Sequence, residues 1–171
     1  MKQVRNPLQA GSRSVKMLLV AGLVLLGLHA CQNISGLGVY EKMQPVPHYS
    51  WDYAFRPEFD IRIQDTGSQY NMYVMLRHNN GYAYSNLWVL ITMVKPDGSK
   101  QTQRVELPLA DTEGRWMGSG IDDIFEHKIP IQQHARFNEP GEYRFILEQN
   151  MRVNPLPDIM AVGFRIEKVT R

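Results

Sequence analysis

The segment Leu87–Val94 reads LWVLITMV, a nearly continuous run of branched and aromatic residues that gives the strongest indication of the fold. Such a run is typical of a β-strand that is buried on both faces. Lys95–Ser99 (KPDGS) follows directly, and Pro-Asp-Gly is a strong signal for a tight turn. Thr102–Leu109 then continues as a strand with Val105 and Leu107 on one face. The sequence therefore predicts a β-hairpin here.

Period-two alternation of apolar and polar residues recurs on both sides of this hairpin. It is clearest in two triplets of inward-facing positions, which are Phe59, Ile61, Ile63 and Val162, Phe164, Ile166. Short β-prone runs are also present at Tyr70–Leu76, Tyr143–Leu147 and Met160–Val169. One or two helical turns are conceivable only at Ile124–Gln133, which Pro130 interrupts. We therefore predict a single all-β domain, an antiparallel β-sandwich of the jelly-roll or Ig-like type.

The N-terminus has the pattern of an export signal. Lys2, Arg5, Arg13 and Lys16 are its only charged residues, and Met17–Leu28 has no polar side chain. A basic segment followed by a short apolar run predicts a secretory signal peptide. The apolar run is short for a transmembrane helix, which needs roughly 20 apolar residues.

Leu28-His29-Ala30-Cys31 resembles a bacterial lipobox. The resemblance implies cleavage before Cys31, diacylglycerol on its sulfur and a further acyl chain, such as palmitate, on the new amino group. Several acyl chains hold a protein stably in a bilayer. Gln32, in place of aspartate, favours sorting to the outer membrane, with the domain on the periplasmic face. The predicted organisation is a signal peptide over 1–30, a lipidated N-terminus and tether over 31–48, and the sandwich over 49–171.

Composition narrows the functional class. The chain has 171 residues, of which 43% are hydrophobic and 21% charged, with a formal net charge of +2. Residues 1–30 hold four of the nineteen basic residues and no acid, so cleavage would leave 141 residues with a charge of −2. This charge argues against nucleic-acid binding. Since Cys31 is the single cysteine, an internal disulfide and a multi-cysteine zinc site are both excluded.

No catalytic, cofactor-binding or metal-binding residues are predicted. Ser119 lacks the glycine spacing of a nucleophile elbow, and the histidines do not have metal-ligand spacing. Asp122, Asp123 and Glu126 form an acidic cluster without an EF-hand pattern. We expect a protein that is not an enzyme and has no small-molecule substrate.

Polar and aromatic residues group beside the predicted turns. The candidate partner-binding residues are Tyr82, Tyr84, Asn86, Arg115, Trp116 and Arg152. Tyr, Trp and Arg commonly anchor protein interfaces. Two further roles stay open for the aromatic residues, which are capping of the sandwich core and stacking on sugars in a carbohydrate-binding module. An enzyme would instead need a pocket that gathers groups such as His78 or Asp111.

The chain resembles the GldH lipoprotein family of gliding bacteria and their relatives in the Bacteroidota. The resemblance runs from about Trp51 to Lys168. Its main motifs are Tyr-x-Tyr-Ser-Asn-Leu at 82–87, Leu-Ala-Asp at 109–111, Gly-Arg-Trp at 114–116 and the stretch at 148–152; Arg77, Gly118, Gly120, Phe137, Gly141, Tyr143 and Ile166-Glu167-Lys168 also match.

This resemblance implies an outer-membrane lipoprotein that is needed for gliding and associated with type IX secretion. It implies a membrane contact through Cys31 and protein partners in the gliding or secretion apparatus. The family also has members in bacteria that do not glide, so motility of the host does not follow. No catalytic residues are carried over from the family.

Overall fold

The computed structural model describes residues 39–169. Eleven β-strands, a short 3-10 turn at Pro47–Tyr49 and no α-helix occur in this range. The strands are β1 Val39–Pro45, β2 Ser50–Trp51, β3 Glu58–Ile63, β4 Tyr70–Asn79, β5 Asn86–Val94, β6 Lys100–Pro108, β7 Ser119–Ile121, β8 Ile124–Ala135, β9 Gly141–Gln149, β10 Leu156–Pro157 and β11 Ile159–Lys168.

The strands form two main antiparallel sheets. One sheet has five strands in the order β1-β11-β4-β8-β7, and the other has four in the order β3-β9-β5-β6. A two-stranded pair, β2 and β10, forms a third small sheet. The prediction of an antiparallel β-sandwich is confirmed.

Alternating residues from both main sheets build the core. Phe59, Ile61 and Ile63 of β3 are buried while their neighbours are exposed, as their spacing predicts. Phe164 of β11 stacks against Phe145 of β9 with ring centroids 4.4 Å apart. All of the described buried hydrophobic residues except Met75 and Ala161 form one cluster, so residues 39–169 contain a core of their own.

Strand β5 differs from its prediction because only one of its faces is buried. Leu87, Val89 and Ile91 point into the core, whereas Trp88 and Leu90 are partly exposed on the outer face. The β5 strand lies between β6 and β9, and no described layer covers their outer side. Its apolar outer residues serve cross-strand packing instead.

The helical turns considered for Ile124–Gln133 are absent, because the whole segment belongs to strand β8. Pro130 pairs with Tyr73 of β4 on one side of β8. On the other side, β7 pairs only with Ile124–Glu126, so Pro130 lies where β8 is an edge. A proline is tolerated at an edge because its missing N–H leaves no internal ladder bond unmade.

The predicted tether over 31–48 is too long at its C-terminal side. Val39–Pro45 forms strand β1, which pairs with β11 along its entire length. The run Val39–Gln44 carries charged residues and little apolar alternation, which is why its strand character is weak in the sequence. Residues 1–38, with the predicted signal peptide and Cys31, lie outside the described residues.

The sandwich has two distinct ends. We call one the Val39 end, because β1 begins there beside Glu167 of β11, whose other neighbour is Asn71 of β4. We call the other the loop end, where His78 of β4 lies beside Phe125 of β8. Asn71 and His78 are seven steps apart along β4, so these two rows lie about 23 Å apart at roughly 3.3 Å per residue.

Candidate functional site

The loop end brings together most of the residues singled out from the sequence. Three segments meet there: the β4–β5 connection at 80–85, the β6–β7 connection at 109–118 and the β7–β8 hairpin. Backbone bonds fix their arrangement, since the N–H groups of Leu109 and Ala110 both donate to the carbonyl of Ser85, at 2.8 and 3.0 Å. Ala110 and Trp116 are paired in an isolated β-bridge.

Asp111 organises the loop that presents Arg115. Its Oδ1 accepts hydrogen bonds from the backbone N–H groups of Glu113 and Arg115, both at 2.9 Å, and its Oδ2 accepts one from Arg115 Nε at 2.8 Å. These bonds, first those from Arg115, lower the pKa of Asp111. Gly114 takes a φ of +80°, which favours glycine. The loop is therefore held in one shape by its own residues.

Arg115 remains accessible within this loop. Its side chain is 72% exposed although it also contacts Glu113 at 3.1 Å. An exposed ion pair of this kind contributes little stability, so its guanidinium is available to another protein at low cost.

The aromatic candidates pack against one another. Tyr82 is only 3% exposed, and its hydroxyl donates to the carbonyl of Asn86 at 2.9 Å. Burial raises the pKa of Tyr82. Trp116 is half-buried against His78, with ring centroids 4.5 Å apart, and its Nε1 donates to Asn80 Oδ1 at 3.2 Å. Tyr84 makes an edge contact with Tyr82 at 5.6 Å.

These angles do not give a sugar-stacking platform. The Tyr82 ring is inclined by 65° to that of Tyr84 and by 44° to that of Trp116. A carbohydrate-binding module needs coplanar, exposed aromatic rings along a groove. At these three residues the core-capping role fits better.

Asn86 and Arg152 do not join the cluster around Trp116. The side-chain amide of Asn86 donates to Glu106 at 2.6 Å across the β5–β6 pair. Arg152 is exposed on a separate loop, which Tyr53 holds by donating its hydroxyl to the carbonyl of Met151 at 2.7 Å. The predicted set therefore divides into two surfaces at the same end of the sandwich.

Three exposed apolar residues at the loop end were not among the predicted candidates. Met117 is 53% exposed, Ile121 is 80% exposed and Ile124 is 40% exposed. Ile121 and Ile124 flank the two-residue turn of the β7–β8 hairpin, where Asp122 has a φ of 52°. The sequence does contain a sign of these residues, because Ile121 and Ile124 flank the turn residues Asp122 and Asp123. An exposed turn of this kind does not require apolar side chains on both sides.

A pair of buried histidines was also missed. His78 is 0% and His127 2% exposed, and their Nε2 atoms lie 2.9 Å apart on neighbouring strands. His78 Nδ1 donates to the carbonyl of Asn79 at 2.7 Å, so in the neutral pair its Nε2 accepts the proton of His127 Nε2. Forty-nine residues separate the two, so no local spacing reveals them.

Several residues that carry the family resemblance have structural roles. Arg77 pairs with Glu126 at 2.5 Å, and Glu167 accepts from Lys128 at 2.7 Å, both on the outer face of the five-stranded sheet. Lys168 pairs with Asp65 at 2.5 Å. These ion pairs link neighbouring strands and loops, so this face offers few free charges to a partner.

Among residues 39–169 no group of three or more His, Cys, Asp or Glu side chains could hold a metal ion. This range includes Asp122, Asp123 and Glu126. Within the same range no helix has the length and apolar character to cross a bilayer.

The fold and the loop end together define an antiparallel β-sandwich domain whose accessible chemistry lies in its loops. The profile of the GldH lipoprotein family matches residues 38–166, and the chain belongs to this family. A gliding motility lipoprotein GldH from Flavobacterium johnsoniae is 33% identical over 155 residues, which cover 86% of this chain and 96% of that protein. A GldH homolog from Christiangramia forsetii is 30% identical over 137 residues, covering 76% and 83%.

Two solved structures align with much of this chain at low similarity. A carbohydrate-binding module specific for non-crystalline cellulose, CBM28, aligns with a TM-score of 0.41 and 10% identity, over 76% of this chain and 73% of that one. The VP2 subviral particle of infectious bursal disease virus aligns with a TM-score of 0.34 and 12% identity, over 76% of this chain and 30% of that one.

Proposed function

We propose that this gliding-motility lipoprotein is anchored in the outer membrane through Cys31, and that it binds other envelope proteins of the gliding and type IX secretion-associated apparatus. In this proposal the domain is not an enzyme, faces the periplasm and uses its loop end as the binding surface. The names of the two relatives support the gliding-motility part.

The single observation that carries the binding role is the composition of the loop end. A loop held by Asp111 presents Arg115, and next to it in sequence stand half-buried Trp116 and exposed Met117. Ile121 adds an apolar side chain that packs on little else. Preorganised Trp and Arg beside exposed aliphatic residues are the composition of interface hot spots. Arg152 lies on a separate loop at the same end of the sandwich.

The position of this surface agrees with an anchor at Cys31. Seven residues separate Cys31 from Val39, and the eight steps between them span at most about 29 Å when fully extended. The chain enters the sandwich at the Val39 end, and the binding surface lies at the opposite end. An anchored domain would thus keep the loop end free to meet another protein.

Site-specific crosslinking in cells tests the surface. A photoreactive amino acid replaces Ile121 in one strain and Asp97, an exposed residue of the β5–β6 turn at the Val39 end, in a control strain. We expect a covalent adduct with another envelope protein at position 121, weakened by Arg115→Ala, and none of the same mass at position 97. Equal adducts at both positions would show that the loop end is not the specific binding surface.

The anchor has a separate test. Cys31→Ser removes the sulfur that would carry diacylglycerol, so the variant should lose the acyl mass and stay uncut. Mass spectrometry and cell fractionation measure both properties. A Cys31→Ser protein that is still cleaved and leaves the same N-terminus would contradict lipid-dependent processing.

A further inference from the structure

The sandwich is open along one side at the Val39 end. A cavity of about 340 Å³ lies there between the two main sheets. Met72 and Ile91, both largely buried, and half-buried Met93 line its interior, and exposed Gln103 of β6 lines its side. This volume is in the range of pockets that bind small molecules and cofactors, about 300–1,000 Å³.

Sheet topology accounts for the opening. Strand β6 is the edge of the four-stranded sheet, and β7 covers β8 only as far as Glu126. From His127 onward β8 is therefore also an edge, and the cavity opens where the two edges face the same side. Methionine side chains in its wall adapt to the shape of a flexible apolar occupant.

Two cations stand at the mouth of the cavity. Lys95 and Arg136 both line it, and within residues 39–169 neither has an acidic partner within 4 Å. Glu139 is the one acid among the lining residues. The inner wall of the cavity is apolar, whereas Gln101, Gln103, Gln132 and Asn138 add polar side chains on its exposed side. An apolar inner wall below a polar mouth of net positive charge fits an amphiphile with an anionic head.

The cavity lies at the end where the chain continues toward Cys31. Ala135, which lines it, pairs with Tyr70, and Tyr70 pairs on its other side with Lys168 of β11. Val39 lies one strand further along the same row, beside Glu167. Two intervening strands at about 4.8 Å spacing place the start of β1 roughly 15 Å from the β8 side of the cavity.

We propose that this cavity binds one acyl chain of an anionic phospholipid of the membrane, with the phosphate held by Lys95 and Arg136. The position relative to the bilayer rests on the anchor at Cys31 proposed above. The acyl chains of that anchor are a poorer occupant, because a diacylglyceryl cysteine has no phosphate for the two cations. Lipid capture would hold the Val39 end against the bilayer surface.

Native mass spectrometry of the full mature protein, purified from membranes in a non-ionic detergent, tests the proposal. The added probes are phosphatidylglycerol and, as a neutral-headgroup control, phosphatidylcholine. We expect one bound phosphatidylglycerol per chain. Phosphatidylcholine should bind more weakly, by about fivefold or more. Equal binding of the two lipids would overturn the role of the cations.

Three variants separate the parts of the proposed site. Lys95→Ala with Arg136→Ala should weaken phosphatidylglycerol binding about fivefold or more. Gln103→Trp should fill the cavity from an exposed edge position and remove the adduct of either lipid. Lys42→Ala with Arg62→Ala removes two exposed cations away from the cavity and should change nothing.

Retention of the lipid by the Gln103→Trp protein would overturn the proposal, as would a bound peptide in place of lipid at this site. These outcomes are distinct from failure of the proposed function. Loss of the anchor shows as a missing acyl mass at Cys31, and loss of the partner surface shows in crosslinking at Ile121, whereas neither changes lipid binding by the sandwich in detergent.

Discussion

His78 and His127 share a hydrogen bond between their Nε2 atoms, 2.9 Å apart, beneath the ring of Trp116. Burial lowers the pKa of both residues, and that of His127 falls to about 4, with His78 as the second cause. Both rings are therefore neutral in the folded protein near neutral pH. Asp158 acts in the opposite direction on His78, because a nearby carboxylate favours the imidazolium.

This pair predicts acid-sensitive stability. In the unfolded chain each histidine takes up a proton near pH 6.5, whereas the folded pair resists it until lower pH, so protonation favours unfolding. The free energy of unfolding is therefore highest above pH 6.5, where both states hold neutral histidines. It falls as the pH drops toward 4, by roughly 3 kcal/mol for His127 alone. Urea unfolding at pH 7.5, 6, 5 and 4.5 measures this loss.

A His127→Gln variant should show a shallower fall over this pH range, while His134→Gln, at an exposed position, should keep the full slope. Carboxylates with a lowered pKa, such as Asp111, stabilise the fold above their unfolded pKa and lose this stabilisation mainly below about pH 4, outside the range compared. If the unfolding free energy of the His127→Gln protein fell with pH as steeply as that of the unmodified protein, the histidine pair would not be the cause of the acid sensitivity.

Gly118 predicts a packing defect above the same pair. A Cβ at this position would lie 2.6 Å from the carbonyl oxygen of Glu126 and 2.8 Å from His127 Nε2, so Gly118→Ala must displace backbone. We expect a loss of about 1–3 kcal/mol in unfolding free energy. Gly67→Ala is the matched control, since its nearest neighbour would be 3.4 Å away. A Gly118→Ala protein as stable as this control would show that the loop moves freely.

We predict that Asp111 is needed for the order of its loop but not for the stability of the domain. Asp111→Ala removes the three side-chain bonds that Asp111 accepts within the loop and leaves the backbone bond from Asp111 N–H to the carbonyl of Arg115, so amide exchange at Glu113 and Arg115 should quicken while the sandwich remains folded. Crosslinking at Ile121 should weaken at the same time. Asp111→Asn keeps the acceptor oxygen for the backbone N–H groups and should preserve most of the protection. Unchanged exchange in the alanine variant would contradict this role.

Phe164 predicts the largest loss of stability. It is fully buried and contacts Phe59 and Phe145, at centroid distances of 6.1 and 4.4 Å, between the two sheets. Phe164→Ala should cost about 3–5 kcal/mol in urea unfolding, because it removes apolar burial and leaves a cavity. Phe164→Leu fills most of the space and should cost clearly less. A small loss in the alanine variant would mean that the sheets can close over the gap.

The core strands were predictable because the alternation of apolar and polar residues indicates which side chains face inward, as at Phe59 and Phe164. Strand β8 was harder to predict, because a proline such as Pro130 is unfavourable in both a helix and a central strand. The sequence does not show that Pro130 lies at the edge of a sheet, where it is tolerated. Strand β1 carries little apolar signal, because its pairing with β11 is a backbone interaction that side-chain pattern does not record.

The candidate site was predictable by residue type more than by geometry. Trp116 and Arg115 were found because their type is unusual beside a turn, but their different degrees of burial depend on packing against His78. The His78–His127 pair could not be found, since register between β4 and β8 decides which residues meet across 49 positions. Register depends on long-range pairing and on two bulges in this ladder.

Strand β1 also determines how the domain would carry mechanical load. For a chain held at Cys31 and loaded at its loop end, the pull on Val39 runs along the strand axis rather than across it. The register from Val39–Glu167 to Pro45–Ala161 then places the whole β1–β11 ladder in shear, so its hydrogen bonds resist together instead of opening one after another. Strand β1 is thereby oriented to transmit a pull between the Val39 end and the loop end along its own length.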